Sequence, residues 1–372
     1  MTTQLEQTSP TPPVRTSGQK VIAFAGRNRL QLGIVAVLAV MWIFFVVAAP
    51  QTFLSKEIYK AFAETVPFYG IMALTITLLV IAQEIDLSFG SIMALSVVSF
   101  MAVFNATGSP VFGAVPDWLR PFFHATGSPL FAGNAVPDWL RPILGLIACL
   151  VTGFLAGLLN GIIVVKIGIP ALIATIGTQF FWRGFLLVVT NARSEPLGDA
   201  TEANPLLRDL LVGRLFGEIP VQVIWMVIVA VLVWLLLNRH RFGAHIYLIG
   251  DNNNSARLMG VNVDRTRMLT FAIVGMSAGL AGLIASYDIS NFYPSLGDGY
   301  LLKTLAAVFL GGTPVLGGVG TILGTFVGCF IIGAIEPGTV AVKLTGFWTQ
   351  LIYGFIIVVS VAMHTVLRRR AK

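Results

Sequence analysis

The sequence predicts an all-α polytopic helical membrane protein of about ten transmembrane helices, with both termini in the cytoplasm. Three observations predict it. Hydrophobic residues make up 56% of the 372-residue chain and charged residues only 11%, against about 25% charged in ordinary soluble domains. Apolar runs recur along the chain at lengths near the roughly 20 residues that a helix needs to cross hydrocarbon. Lys and Arg, 24 in all, concentrate in segments that alternate with those runs as a membrane-inserted chain requires. This composition excludes a soluble enzyme, a disordered chain and a disulfide scaffold. The net charge of +7 implies no nucleic-acid partner, because the bases lie in short connections between apolar runs. Cys149 and Cys329 both sit inside apolar runs, so no disulfide framework is readable.

Residues 1–30 are polar and carry Pro10, Pro12 and Pro13 with the bases Arg15, Lys20, Arg27 and Arg29. No apolar stretch precedes residue 31, so this segment reads as a disordered, uncleaved cytoplasmic tail and not a signal peptide. The run at 31–49 is the first expected span. Others follow at about 66–83, 91–106, 143–165, 170–190, 220–238, 268–287, 303–313, 317–336 and 347–367. The 303–313 run is too short to span alone and reads as tilted, re-entrant or longer than drawn. Gly317, Gly318 and Gly320 break it from the next run. Residues 31–367 thus form one transmembrane domain, followed by a basic tail at 368–372.

Orientation follows from the bases. Ten alternating spans that start inside place the tail, the 239–267 connection and the C-terminus in the cytoplasm, and these segments hold 13 of the 24 Lys and Arg residues. Lys56 and Lys60 run against the trend. The outer connection at 106–142 contains a near-exact tandem duplication: ATGSP at Ala106–Pro110 recurs at Ala125–Pro129, and AVPDWLRP at Ala114–Pro121 recurs at Ala135–Pro142. An exposed loop tolerates such an insertion at little cost; docking of a partner is the alternative. Trp118 and Trp139, one in each copy, suit the membrane interface.

Within the spans, small residues recur every fourth position: Gly153, Gly157 and Gly161, then Gly275 and Gly279, then Gly320, Gly324 and Gly328. That spacing lets helix backbones approach closely in lipid. Polar groups at depth say more, because each is costly there. On 170–190, Thr175, Gln179 and Arg183 share one helix face, with Thr178 beside them. They line a water-filled cavity, or Arg183 only snorkels towards the headgroups. Between two spans, Gln83 to Ser91 brings Glu84, Asp86, Ser88, Gly90 and Ser91 together. Ser88 or Ser91 could cap the following helix with the carboxylates near its positive end; a role in the pathway or in gating is the other reading.

The 239–267 connection is the longest on the cytoplasmic side. Asn254 is placed to cap a short helix that runs through Met259 and ends at Gly260. A helix so short is marginal alone and should dock on something. No GxxxxGK[ST] nucleotide loop, no HExxH and no Cys/His metal spacing occurs. Energy for uphill work must come from an ion gradient or from another chain.

Four segments, in this order, resemble the ribose-type family of ABC importer permeases, which serve monosaccharides and related small polar molecules. They are Glu84–Leu95 (EIDLSFGSIMAL), Leu159–Lys166 with Ile169–Thr178 (LNGIIVVK, IPALIATIGT), Gly250–Asp264 (GDNNNSARLMGVNVD) and Leu305–Gly324 (LAAVFLGGTPVLGGVGTILG). The resemblance runs from about residue 30 to 367. Glu84 stands where the family usually has Gly, and the duplicated outer loop is extra.

The resemblance implies a permease of the bacterial inner membrane that pairs with a second copy or a paralogue around a central path. Two ABC ATPase subunits would bind it inside, with ATP bound by them and no cofactor on this chain, and a solute-binding protein would deliver substrate outside. The helix near 254–260 would couple to the ATPase through Asn254, Ser255, Ala256, Arg257, Leu258, Gly260 and Val261; a free basic loop held near anionic lipid is the alternative for that segment. Asn160, Thr175, Thr178, Gln179 and Arg183 would line the translocation path, where a neutral, hydroxyl-rich solute needs hydrogen-bonding side chains. Two rival readings are an ion-coupled secondary transporter using Glu84, Asp86 and Arg183, and an integral-membrane enzyme. The first leaves the structured loop unexplained; the second lacks any catalytic constellation.

Overall fold

The computed structural model describes residues 29–106 and 136–371, and side chains within 32–105 and 136–362. Most of the N-terminal tail and of the duplicated outer loop, with Trp118, lies outside these residues.

Each of the ten apolar runs is a helix. In chain order the helices are α1 (Arg29–Ala48), α2 (Pro50–Phe53), α3 (Lys56–Ile81), α4 (Phe89–Ala106), α5 (Arg141–Ile162), α6 (Ala171–Thr190), α7 (Gly198–Ala203), α8 (Pro205–Val212), α9 (Val221–Asn238), α10 (Arg241–Asp251), α11 (Asn253–Leu258), α12 (Val263–Asp288), α13 (Tyr300–Leu310), α14 (Ile322–Ala341) and α15 (Phe347–Ala371). A π turn, Ile163–Ile167, prolongs α5. Six of them (α3, α5 with its π turn, α6, α9, α12 and α14) are long and apolar enough to cross a membrane, while the apolar stretches of α1, α4, α13 and α15 are shorter. Four two-residue strands pair as β1 (Glu195–Pro196) with β4 (Asn291–Phe292) and β2 (Arg214–Leu215) with β3 (Ile219–Pro220).

From Val66 to Ile81 helix α3 is almost wholly apolar and is accordingly the core of the bundle, buried without a break. Its inward hydroxyls are satisfied across helices, Thr75 with Ser277 on α12 at 2.6 Å, Thr77 with Thr325 on α14 at 2.7 Å, and Tyr69 donating to the Cys329 carbonyl of α14 at 2.7 Å. Helices α6 and α9 instead turn Ile173, Phe180, Val188, Val231 and Leu232 outward, as lipid-facing helices do.

The glycine ladders act as their spacing predicts. A Cβ on Gly153 would stand 2.3 Å from the Gly275 carbonyl oxygen, and one on Gly157 the same distance from that of Phe271, so α5 and α12 touch backbone to backbone. Gly328 meets Ala307 likewise and joins α14 to α13. Gly320 departs from the expected helical ladder: it precedes α14, whose first turn is capped by Thr321 accepting from the Gly324 amide at 3.1 Å.

The 303–313 run resolves into the eleven-residue α13. After α12 and β4 the chain turns back at 293–299, where Leu296 and Gly297 are buried, and α13 starts from that return. Gly312, Gly317 and Gly318 all have positive φ in the following turn, backbone that glycine adopts without steric cost.

Candidate coupling element and transport path

The 239–267 connection folds as two helices, and α10 has no counterpart in the sequence reading. Asn252, not Asn254, caps α11: its side-chain oxygen accepts from the Ser255 amide at 3.0 Å, leaving Asn254 in the first turn. Gly260 ends the helix with φ +81°, and the Val261 amide reaches back to the Ala256 carbonyl at 3.1 Å. Ala256 and Val261 are buried and seat the element on the bundle. Arg257 pairs with Asp264 at 2.6 Å, and Lys166 approaches the same carboxylate at 3.5 Å. Asn254 and Ser255 are exposed. At the tip, Leu258 is 90% exposed and Met259 60%. Burying such a side chain is worth roughly 1.5–3 kcal/mol, which the exposed pair does not gain within this chain.

This element is tied to the end of α3. Gln83 donates its side-chain amide to the Gly250 carbonyl at 2.8 Å, and the Gly318 amide donates to the Ile81 carbonyl at 2.9 Å. A Cβ on Gly250 would lie 1.8 Å from that same Ile81 oxygen. The Tyr247 hydroxyl donates to the Gly320 carbonyl at 2.9 Å, and burial pushes its pKa up.

The chain then passes through 84–91. Glu84, almost fully buried, forms an ion pair with Arg267 of α12. That partner neutralises the buried carboxylate. Asp86 is fully buried and accepts from both the amide and the hydroxyl of Ser88 at 2.7 Å, and from the Asn160 amide group at 3.2 Å. Asn160 also donates to the Ser88 hydroxyl oxygen at 2.7 Å. Its own side-chain oxygen is buried without a partner among the described residues. The expected serine cap is therefore corrected: the Ser88 hydroxyl is spent on Asp86, and the buried Ser91 hydroxyl bonds to nothing described. The Ser88 oxygen, which would accept from a helix-start amide in a cap, accepts instead from the Asn160 side-chain amide.

The α6 stripe divides. Thr175 and Thr178 are buried and donate to carbonyls of their own helix, those of Ala171 and Thr175, and Gln179 is half-buried. Arg183 does not simply snorkel. Its guanidinium donates to the carbonyls of Pro294, Leu296 (3.0 Å) and Gly90 (3.5 Å) and pairs with Asp298 at 2.6 Å. Gly90 and Gly297 approach backbone to backbone there, a Cβ on Gly90 falling 2.9 Å from the Gly297 oxygen. The structure thus joins Asp86, Ser88 and Asn160 in one cluster, and Gly90 with Arg183 in another. Trp139 is exposed at the end of the outer loop.

A bundle of apolar helices with polar groups gathered inside it defines a polytopic membrane protein. The family model described as "Branched-chain amino acid transport system / permease component" matches residues 58–361, and the chain belongs to that family. The autoinducer 2 import system permease protein LsrC of Yersinia pestis (strain Pestoides F) is 29% identical over 338 residues, covering 91% of this chain and 85% of the relative. The protein of the same title from Yersinia pseudotuberculosis serotype O:3 (strain YPIII) is 30% identical with the same coverage. No solved structure matches. These similarities bear out the resemblance to ribose-type importers: the chain is a permease of a sugar-type ABC importer. Membership of the family implies an ATPase and a substrate-binding protein as partners.

Proposed function

We propose that this chain carries a monosaccharide or a related polyol inward across the bacterial inner membrane by alternating access. In this reading ten helices span, both termini face the cytoplasm, and two permease subunits surround the path. ATP is bound by the partner ATPase alone. The observation that carries the proposal is the apolar tip Leu258–Met259 on α11, held by Ala256 and Val261 and joined through Gln83 and Gly250 to the segment beside Asp86 and Asn160. Movement imposed on α10 and α11 by the ATPase can reach the bundle interior along that route. Asn254, Ser255, Arg257 and Gly260 shape the coupling surface, while Asn160, Thr175, Thr178, Gln179 and Arg183 supply hydrogen-bonding groups to the path. The Yersinia relatives are titled for autoinducer 2 import, which supports a small imported solute. An ion-coupled mechanism is not favoured: Glu84 and Arg183 are each held in an ion pair within the chain.

The test is uptake in vesicles. The permease with its ATPase and binding protein should accumulate labelled sugar when ATP is supplied, and the permease alone should accumulate none. Uphill uptake by the chain alone would overturn the reading. Gln179→Leu should lower uptake without loss of assembly; normal kinetics in that variant would remove Gln179 from the path.

A further inference from the structure

Two charged residues that the coupling element and the path residues leave unused lie inside apolar helices. Lys303 is in the first turn of α13 and Glu336 is in α14, their Nζ and Oε2 atoms 2.5 Å apart. Local electrostatics does not favour the lysine there, because the first turn of a helix is its positive end. The pair is not sealed in the core either: the Glu336 side chain is 54% exposed and that of Lys303 24%. Charges on membrane helices are costly against lipid and almost always face water or protein.

The surroundings are polar and aromatic. Tyr300, one turn before Lys303, has its ring 6.5 Å from that of Tyr69. The Thr304 hydroxyl is buried without a partner among the described residues. The return that leads into α13 carries the Arg183–Asp298 pair, with the same arrangement: an exposed carboxylate on a more buried base. Outward faces of α6 and α9 carry Ile, Phe, Val and Leu instead.

We propose that Lys303 and Glu336, together with Arg183 and Asp298, line an aqueous mouth of the solute path that opens on the side of the membrane away from α11. This inference rests on the permease reading above. The chemistry suits a neutral, hydroxyl-rich solute: carboxylates accept from its hydroxyls, and the ammonium and guanidinium groups donate to its oxygens. Each base cancels its acid, so the wall holds hydrogen-bonding capacity with little net charge.

Cysteine accessibility tests this in the assembled transporter. Cys149 and Cys329 are both fully buried, so the unaltered chain supplies a low background. Glu336→Cys and, separately, Lys303→Cys are exposed to a charged, membrane-impermeant thiol reagent from the outer side. Both positions should label, at rates that differ by about ten-fold between the nucleotide-free and vanadate-trapped states, a size typical of coupled sites. Two results would overturn the proposal: no labelling of either folded variant, or labelling indifferent to nucleotide. If the unaltered chain fails to assemble with an ATPase, the permease reading itself falls. If it assembles and hydrolyses ATP but labels without state dependence, only the mouth is lost.

Discussion

Gln83 donates its side-chain amide to the carbonyl of Gly250 at 2.8 Å across 167 residues of sequence, and so binds the end of the core helix to the 239–267 connection. The 83–90 segment continues from it to the Asp86 cluster and the Gly90–Arg183 contact. One hydrogen bond of this kind is worth about 1 kcal/mol net. Gln83→Leu should therefore leave ATPase binding intact while solute carried per ATP falls roughly five-fold. Uptake and hydrolysis measured together in proteoliposomes check this, and an unchanged ratio would remove the bond from the coupling route. Gly250→Ala should act differently, preventing α10 from seating, because its Cβ would overlap the Ile81 oxygen.

On α11, neighbouring positions should separate docking from folding. Ala256 is fully buried and Leu258 almost fully exposed. Ala256→Asp forces an unpaired charge against the bundle and should destabilise the protein by about 2–5 kcal/mol, lowering membrane yield. Leu258→Asp should express and fold normally yet lose ATPase binding by at least about ten-fold, given the roughly 1.5–3 kcal/mol that a buried leucine contributes. Co-purification with the ATPase subunit measures the second effect. Normal co-purification of the leucine variant would show that the tip docks elsewhere.

How far the sequence could be read depends on the range of the interaction concerned. Apolar run length and four-residue glycine spacing are local, and each of the ten runs is a helix, with Gly153 and Gly157 packed on α12. Helix α10 was illegible because its eleven residues mix Arg241, His245 and Asp251 with apolar ones, and it forms where Gly243 and Gly250 fit closely against neighbouring backbone. Asn252 and not Asn254 makes the cap bond, a difference that three consecutive asparagines do not reveal in sequence. Pairings such as Glu84–Arg267, Arg183–Asp298 and Lys303–Glu336 join distant segments, and no spacing rule reveals them. Polar residues at depth could be flagged singly; their partners could not.

The Asp86–Ser88–Asn160 cluster should behave as a unit. Removing one member leaves buried groups of the others unpaired, at about 1–3 kcal/mol for each. Asp86→Ala and Asn160→Ala should each destabilise strongly, and the double variant should cost less than their sum by about 0.5–3 kcal/mol. Thermal unfolding of the detergent-solubilised protein reads all three. Strict additivity would show that the two side chains do not interact in the membrane.

Arg183 is the position where charge and shape can be told apart. Its guanidinium serves carbonyls of Pro294, Leu296 and Gly90 and the Asp298 carboxylate together, a fan of donors that a lysine ammonium cannot reproduce. The 293–299 return is built around it, with Gly90 and Gly297 in backbone contact beneath. Arg183→Lys should keep the charge yet lose most of these bonds, so uptake should fall by about ten-fold or more, as loss of a charge-assisted bond worth roughly 1.5–3 kcal/mol requires. Asp298→Asn keeps an acceptor oxygen for the guanidinium and leaves its carbonyl bonds in place, so its effect should be smaller, within about three-fold, as expected of a pair with an exposed acid. Initial uptake rates at matched expression compare the two. If Asp298→Asn proves as damaging as Arg183→Lys, the ion pair and not the carbonyl cradle holds the return.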